Sequence, residues 1–93
     1  MIYWLINPTT AAANSNSFNV FHPDQPQRVS SNRLLGAGEY LSIEVQVGAN
    51  WVEVGRIDNT TNIAGYMVTY LPAPHRVVKP VSASAYGAYI DMY

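Results

Sequence analysis

The sequence predicts an all-β protein: a single small antiparallel β-sandwich with an N-terminal strand or arm. Two observations support this class. Apolar and polar residues alternate with a period of two, which is typical of half-buried strands. Short alternating segments are also separated by turn-forming residues roughly every 8–12 positions, as in sandwiches and small barrels. An immunoglobulin-like or a jelly-roll-like sandwich would fit this pattern.

The clearest predicted element is a β-hairpin over residues 40–57. Its first strand, YLSIEVQV, places four apolar residues on one face: Leu41, Ile43, Val45 and Val47. Residues 48–50 (GAN) then predict a three-residue turn, because Gly and Asn tolerate positive φ. The segment WVEVGRI follows as the return strand.

Turn and breaker residues separate the remaining predicted strands. The polar segment DNTTN predicts a turn whose side chains cap their own backbone. Proline cannot donate to a strand ladder, so Pro72 ends one strand, and Pro80 places another at an edge or corner. The closing segment again alternates, with Tyr86, Ala88 and Ile90 on one face. The predicted strands outside the hairpin are residues 18–21, 28–35, 65–71 and 75–81, and the closing segment is residues 82–93.

The N-terminal hexamer MIYWLI precedes a long, small-residue linker, NPTTAAANSNS. Three interpretations compete: a strand of the home sheet, a cleaved leader, or an arm that adds as a strand to another chain. The linker favours the arm, because connections within compact domains usually span about 4–6 residues. On this interpretation residues 1–16 are an arm and tether, and residues 17–93 are the sandwich.

Composition excludes several function classes. Only 12% of the 93 residues are charged and the net charge is −1, whereas nucleic-acid binding requires a basic stripe. Without cysteine, the chain has no disulfide, no thiolate zinc site and no cysteine nucleophile. No segment approaches the roughly 20 apolar residues of a membrane helix. A protein partner fits this charge-poor composition better.

No residue pattern indicates catalysis, a metal site or a cofactor. His22 and His75 lie far apart in proline-flanked segments and are expected to be solvated loop residues. Glu44 and Glu53 fall on neighbouring strands of the hairpin, as a glycosidase pair would require, but on solvent-facing positions without a cleft. We therefore expect a non-enzymatic protein.

The aromatic residues, 12% of the chain, are the strongest candidates for binding. Tyr66 and Tyr70 share one strand face, and Tyr89 shares another with Tyr93. Exposed rings would form a platform for a sugar or a protein, whereas buried rings would simply pack across strands. Trp51, which follows a turn, is expected to lie in the core.

The segments GANWVEVGRI and YLPAPHRVVKPVSASAYGAYIDMY, in a short cysteine-free chain, resemble the decoration (cement) and minor head proteins of tailed bacteriophages. The resemblance implies a virion structural protein, made in the host cytoplasm, that stabilises the capsid surface as a monomer or homotrimer. It binds between major capsid subunits or to copies of itself. The implied partner contacts are the arm residues Ile2, Tyr3, Trp4, Leu5 and Ile6. The alternative is a carbohydrate- or receptor-binding module that would use Trp51, Tyr66, Tyr70 and Tyr89.

Overall fold

Two antiparallel β-sheets form the protein, as the period-two pattern predicts. The computed structural model describes residues 2–19 and 27–91. All regular secondary structure in these ranges is β-strand. The all-β prediction is therefore confirmed, and the paired sheets are those of a small β-sandwich. The strands are β1 (Ile2–Thr9), β2 (Ala13–Asn14), β3 (Phe18–Asn19), β4 (Gln27–Ser31), β5 (Tyr40–Val47), β6 (Asn50–Asp58), β7 (Tyr66–Thr69), β8 (Pro74–Lys79) and β9 (Tyr86–Asp91).

The strand order separates the chain into two layers. Sheet A has the order β1-β9-β4-β7, and sheet B has the order β2-β8-β5-β6, with β3 also paired to β8. The strand predicted at an edge or corner, β8, is instead an inner strand, because β5 flanks it on one side and β2 and β3 on the other. Pro80 does end β8, as predicted, since proline cannot continue the ladder.

The β5–β6 hairpin is confirmed, with two corrections at its tip. Leu41, Ile43 and Val45 are at most 5% exposed, but Val47 is 58% exposed, because it lies where the hairpin extends past the core. The turn has two residues, not three, since Asn50 pairs directly with Val47. Gly48 takes a φ of 62°, as a type II′ turn requires of its first loop residue.

The core lies between the two sheets and combines residues that are distant in sequence. Tyr86, Ala88 and Ile90 all face inward from β9, which confirms the alternation predicted for this part of the closing segment. Residues 92–93 of that segment, and residues 20–26 with His22, lie outside the described residues. The buried apolar cluster comprises Ile6, Val29, Leu35, Leu41, Ile43, Ile57, Val77, Tyr86, Ala88 and Ile90.

The N-terminal segment is a strand of the protein's own sheet, which corrects its interpretation as an arm. Strand β1 pairs with β9 from Ile2 opposite Asp91 to Thr9 opposite Tyr86, with two irregularities in register. Ile6 is only 5% exposed and belongs to the core cluster. The segment closes one edge of sheet A and contributes Ile6 to the core, so the sandwich begins before residue 17.

The linker is also ordered against sheet B and is not a free tether. Ser15 exchanges two hydrogen bonds of 2.9 Å with Val77: its N–H donates to the Val77 carbonyl, and its hydroxyl accepts from the Val77 N–H. The Lys79 ammonium, 1% exposed, donates to the carbonyl of Ala11 at 3.1 Å. The long connection therefore carries the chain from the edge of sheet A across to the edge of sheet B.

Gly87 allows β1 to lie close to β9. A Cβ at this position would clash with the Ile6 carbonyl oxygen and would lie 2.8 Å from the nitrogen of Pro8. Because these neighbours are backbone atoms, they cannot rotate away. Glycine is therefore required for the irregular pairing of β1.

His75 is buried, which corrects the expectation of a solvated loop histidine. It lies in β8 with no exposed surface. Its Nδ1 is 2.7 Å from the Ala73 carbonyl oxygen, which can only accept, so Nδ1 carries the proton. The Thr69 hydroxyl then donates to Nε2 across 2.6 Å. Burial lowers the pKa of His75, which favours this neutral form.

A second polar cluster lies at the end of the sandwich where β4 leads into β5. The Arg33 guanidinium binds Glu39 through two hydrogen bonds of 2.7 and 2.8 Å. The pKa of Glu39 falls to about 2, first because of the bond from Arg33 and second because of the bond from the Gly36 N–H. Arg33 also lies over the ring of the fully buried Tyr86, 5.1 Å from its centroid.

Candidate interaction surface

A row of aromatic side chains crosses the outer face of sheet A. Trp4 pairs with Tyr89, Tyr89 with Ser30, and Ser30 with Tyr66, so the four residues lie side by side on four adjacent strands. Cross-strand partners project from the same side of a sheet. Trp4 and Tyr66 are 41% and 45% exposed, which shows that this side faces solvent.

The row is extended by apolar residues on the same face. Ile2 and Val68 lie two positions from Trp4 and Tyr66, and successive side chains of a strand alternate between faces. They are 53% and 46% exposed. The Trp4 and Tyr89 rings meet edge to face with their centroids 5.4 Å apart. We call this surface the aromatic face: Ile2, Trp4, Arg28, Ser30, Tyr66, Val68 and Tyr89.

Arg28 adds a cation to the aromatic face. It pairs with Val68 across the β4–β7 ladder, and its guanidinium carbon lies 5.3 Å from the centroid of the Tyr66 ring. Guanidinium groups stack on rings and are enriched at protein interfaces together with tyrosine and tryptophan. Rings, aliphatic side chains and one arginine thus make a surface suited to a protein partner.

The outer face of sheet B is built from charges that pair with one another. Arg76 Nε lies 2.7 Å from Glu44 Oε1, and Arg56 binds Glu53 at 3.2 Å. The Ser42 hydroxyl also donates to Glu53. These donors lower the pKa of Glu53, with Ser42 the largest cause. We call this surface the charged face.

Both arginines of the charged face also lie over rings. Arg76 is 4.6 Å from the centroid of the Trp51 ring, and Arg56 is 4.2 Å from that of Tyr40. Trp51 is therefore half-buried under an arginine on the outer face and is absent from the core cluster, which corrects its expected place in the core.

The two hairpin carboxylates are register partners, as their positions suggest, yet each is bound to its own arginine. Glu44 lies opposite Glu53, but Arg76 binds the first and Arg56 the second. A glycosidase acid needs a raised pKa, whereas that of Glu53 is lowered. The geometry gives this pair a structural role.

The residues predicted as partner contacts divide between surface and core. Ile2, Tyr3 and Trp4 are exposed, Leu5 is partly buried, and Ile6 is in the core and unavailable to a partner. The aromatic face thus includes two of the five, Ile2 and Trp4.

The alternative ligand-binding set is not a single site. Tyr66 and Tyr89 share the aromatic row, but Trp51 lies on the opposite sheet. Tyr70 follows the end of β7 and is 59% exposed. Sequence reasoning missed Arg28 and Val68, although Tyr66 and Val68 flank Met67, which packs against the core, and this alternation could have placed Val68 on the face.

Comparison with protein-family models, with curated proteins and with solved structures finds no match. Among residues 2–19 and 27–91, no group of three or more metal-ligating side chains converges. The same part of the chain contains no helix with the length and apolar character needed to cross a bilayer.

Proposed function

We propose that this protein is a non-enzymatic virion structural protein, a capsid decoration (cement) protein that attaches through its aromatic face. The partner is the major capsid protein, contacted at the joints between subunits, or further copies of the chain itself. The observation that carries the proposal is the aromatic row of Trp4, Tyr89 and Tyr66, in which Tyr89 is half-buried and Trp4 and Tyr66 are exposed together with the flanking Ile2 and Val68.

The aromatic face gains free energy when a partner covers it. Large contiguous patches of exposed apolar surface mark sites of interaction. Covering it yields roughly 25 cal/mol for each Å² of apolar area removed from water. Tyrosine, tryptophan and arginine are also the residues that most often dominate binding energy at protein interfaces. The aromatic face therefore supports a binding role.

The virion assignment rests on the sequence resemblance and on the architecture. A small, cysteine-free, charge-poor sandwich with a broad aromatic face suits permanent attachment to a shell. The assignment requires that the gene lie in a phage or prophage genome, among head genes. A gene located elsewhere would contradict the capsid role but would leave the protein-binding face intact.

Co-sedimentation with expanded, DNA-free heads of the phage that carries the gene tests the proposal. Val68→Ser and Val52→Ser form a matched pair, because both valines are 46% exposed but only Val68 lies on the aromatic face. We expect Val68→Ser to weaken attachment about tenfold, the effect of roughly 1.4 kcal/mol, and Val52→Ser to leave it unchanged. Equal weakening by both variants, or no sedimentation of the unmodified protein, would contradict the proposal.

A further inference from the structure

An open cleft lies beside β1, where the linker and β3 pass the edge of sheet A. Its volume is about 290 Å³. Ligand sites usually enclose roughly 300–1,000 Å³, so the cleft lies just below that range. It is separate from the aromatic row except at Trp4, which borders both.

The lining combines rings with uncharged amides. Among the described residues that line the cleft, none carries a charge. The aromatic residues at the cleft are Tyr3, Phe18 and Trp4, of which Tyr3 is 56% exposed and Trp4 directs its ring to Tyr89 on the outer face. The amide-bearing residues at the cleft are Asn16, Asn19 and Gln27.

We propose that this cleft is a binding site for a neutral saccharide, of a size that admits one pyranose ring. A pyranose presents an apolar face of C–H groups, which packs against aromatic rings, and a rim of hydroxyls, which both donate and accept hydrogen bonds. Amide side chains also offer both a donor and an acceptor, so they match hydroxyls in either sense.

Other ligand chemistries fit this lining less well. An anionic or cationic ligand would lose its hydration without meeting an opposite charge among the described lining residues. A purely apolar ligand would cover the amides and leave them without partners. The mixture of rings and amides selects a ligand that is itself apolar on one side and polar at its rim.

The cleft and the proposed capsid role can be tested separately. Trp4 borders both surfaces, but Val68 lies on the aromatic face and does not line the cleft. Val68→Ser should therefore bind saccharide as the unmodified protein does. A failure of saccharide binding can therefore be distinguished from a failure of capsid attachment by testing Val68→Ser in both assays.

Saturation-transfer NMR and tryptophan fluorescence titration provide the test, with methyl glycosides of glucose, galactose and N-acetylglucosamine as probes. Methyl glucuronoside is the charged comparison. Tyr3→Ala and Tyr70→Ala are a matched pair, because these tyrosines are 56% and 59% exposed at opposite edges of sheet A. Asn16→Ala, at an exposed position, tests the amides separately.

We expect at least one neutral glycoside to bind. Tyr3→Ala should weaken that binding about three- to tenfold, as loss of one ring contact does, while Tyr70→Ala has no effect. Asn16→Ala should weaken it about two- to tenfold through a lost hydrogen bond. The melting temperature of each variant shows that it remains folded.

Three results would overturn the inference. The first is no saturation transfer from any neutral glycoside up to about 10 mM. The second is glucuronoside binding as tight as that of its neutral counterpart, which would remove the charge argument. The third is equal weakening by Tyr3→Ala and Tyr70→Ala, which would place the bound sugar elsewhere.

Discussion

The two outer faces of this sandwich use arginines and aromatic rings to different ends. On the charged face, Arg76 and Arg56 each bind a carboxylate and cover a ring, so the polar groups satisfy one another within the chain. On the aromatic face, rings and aliphatic side chains dominate, and Trp4, Tyr66 and Val68 keep over 40% of their surface exposed. Both arginines of the charged face have partners within the chain. The exposed apolar side chains of the aromatic face would gain free energy from burial against a partner.

This difference shows where a partner can gain free energy. A ligand on the charged face would have to replace ion pairs and stacked rings that already exist, with little net benefit. A partner on the aromatic face removes apolar area from water. The proposed interaction surface is therefore supported by the exposure left after internal pairing rather than by the number of aromatic residues.

The largest effect is expected from removing β1, which carries two residues of the aromatic face. Deleting residues 1–9 exposes the edge of β9 that pairs with β1 and removes Ile6 from the core. We therefore expect loss of cooperative folding. Circular dichroism and thermal melting measure it. Ile2→Ser, at a 53% exposed position, is the control and should melt within a few degrees of the unmodified protein. A truncated chain that still melts cooperatively would restore the interpretation of this segment as an arm.

Gly87→Ala should disrupt the pairing of β1 with β9 in sheet A and leave sheet B unchanged. The added methyl group meets backbone atoms of Ile6 and Pro8, so β1 must shift. We expect a loss of about 1–3 kcal/mol in the free energy of unfolding, the usual range for overpacking. Gly36→Ala is the control, because a Cβ there would lie 3.5 Å from Glu39 Oε1, an ordinary contact. Urea denaturation compares the two variants, and equal stabilities would show that β1 does not need this close approach.

Acid should destabilise the protein at the Arg33–Glu39 cluster, which lies off the aromatic face, because the pKa of Glu39 is lowered in the folded chain. The Glu39 pKa is 4.5 in the unfolded chain and about 2 in the folded one. Its contribution to stability is therefore complete above pH 4.5 and is lost as the pH falls towards 2. Glu39→Gln should lower the melting temperature at pH 7, by roughly 4–8 °C per kcal/mol lost, and should flatten its dependence on pH below 4.5. A variant with the same acid profile as the unmodified protein would contradict this assignment.

Sequence patterns predicted the local elements of this fold well, since a hairpin depends on neighbouring residues. The β5–β6 hairpin is as expected because its alternation and its Gly48 turn act over a few positions. Whether the N-terminal hexamer is an arm or a strand of the home sheet depends on its pairing with β9, some 85 residues away. No local pattern encodes that pairing. His75 was misplaced for the same reason, since its burial comes from the inner position of β8 in sheet B.

The candidate surface was predictable only in part. The sequence drew attention to Tyr66 and Tyr89, but only the strand order shows that one strand, β4, separates them and that Trp4 joins their row. Trp51 was assigned to the same ligand set, and the fold places it on the other sheet. Residue types can be read locally, whereas which of them share a face is decided by pairing between distant strands.

The smallest effect is expected on the charged face. Glu44→Gln removes the partner of Arg76 at a site where both side chains keep some solvent exposure, 18% and 27%. Surface ion pairs of this kind contribute about 0–1 kcal/mol, so the stability loss should not exceed that range. Added salt should reduce the difference between the variant and the unmodified protein, because it screens the pair. Attachment to heads should be unchanged, since the substitution lies on the face opposite the proposed interface. A Glu44→Gln protein that sediments less with heads than Val52→Ser does would show that the charged face also contacts the shell.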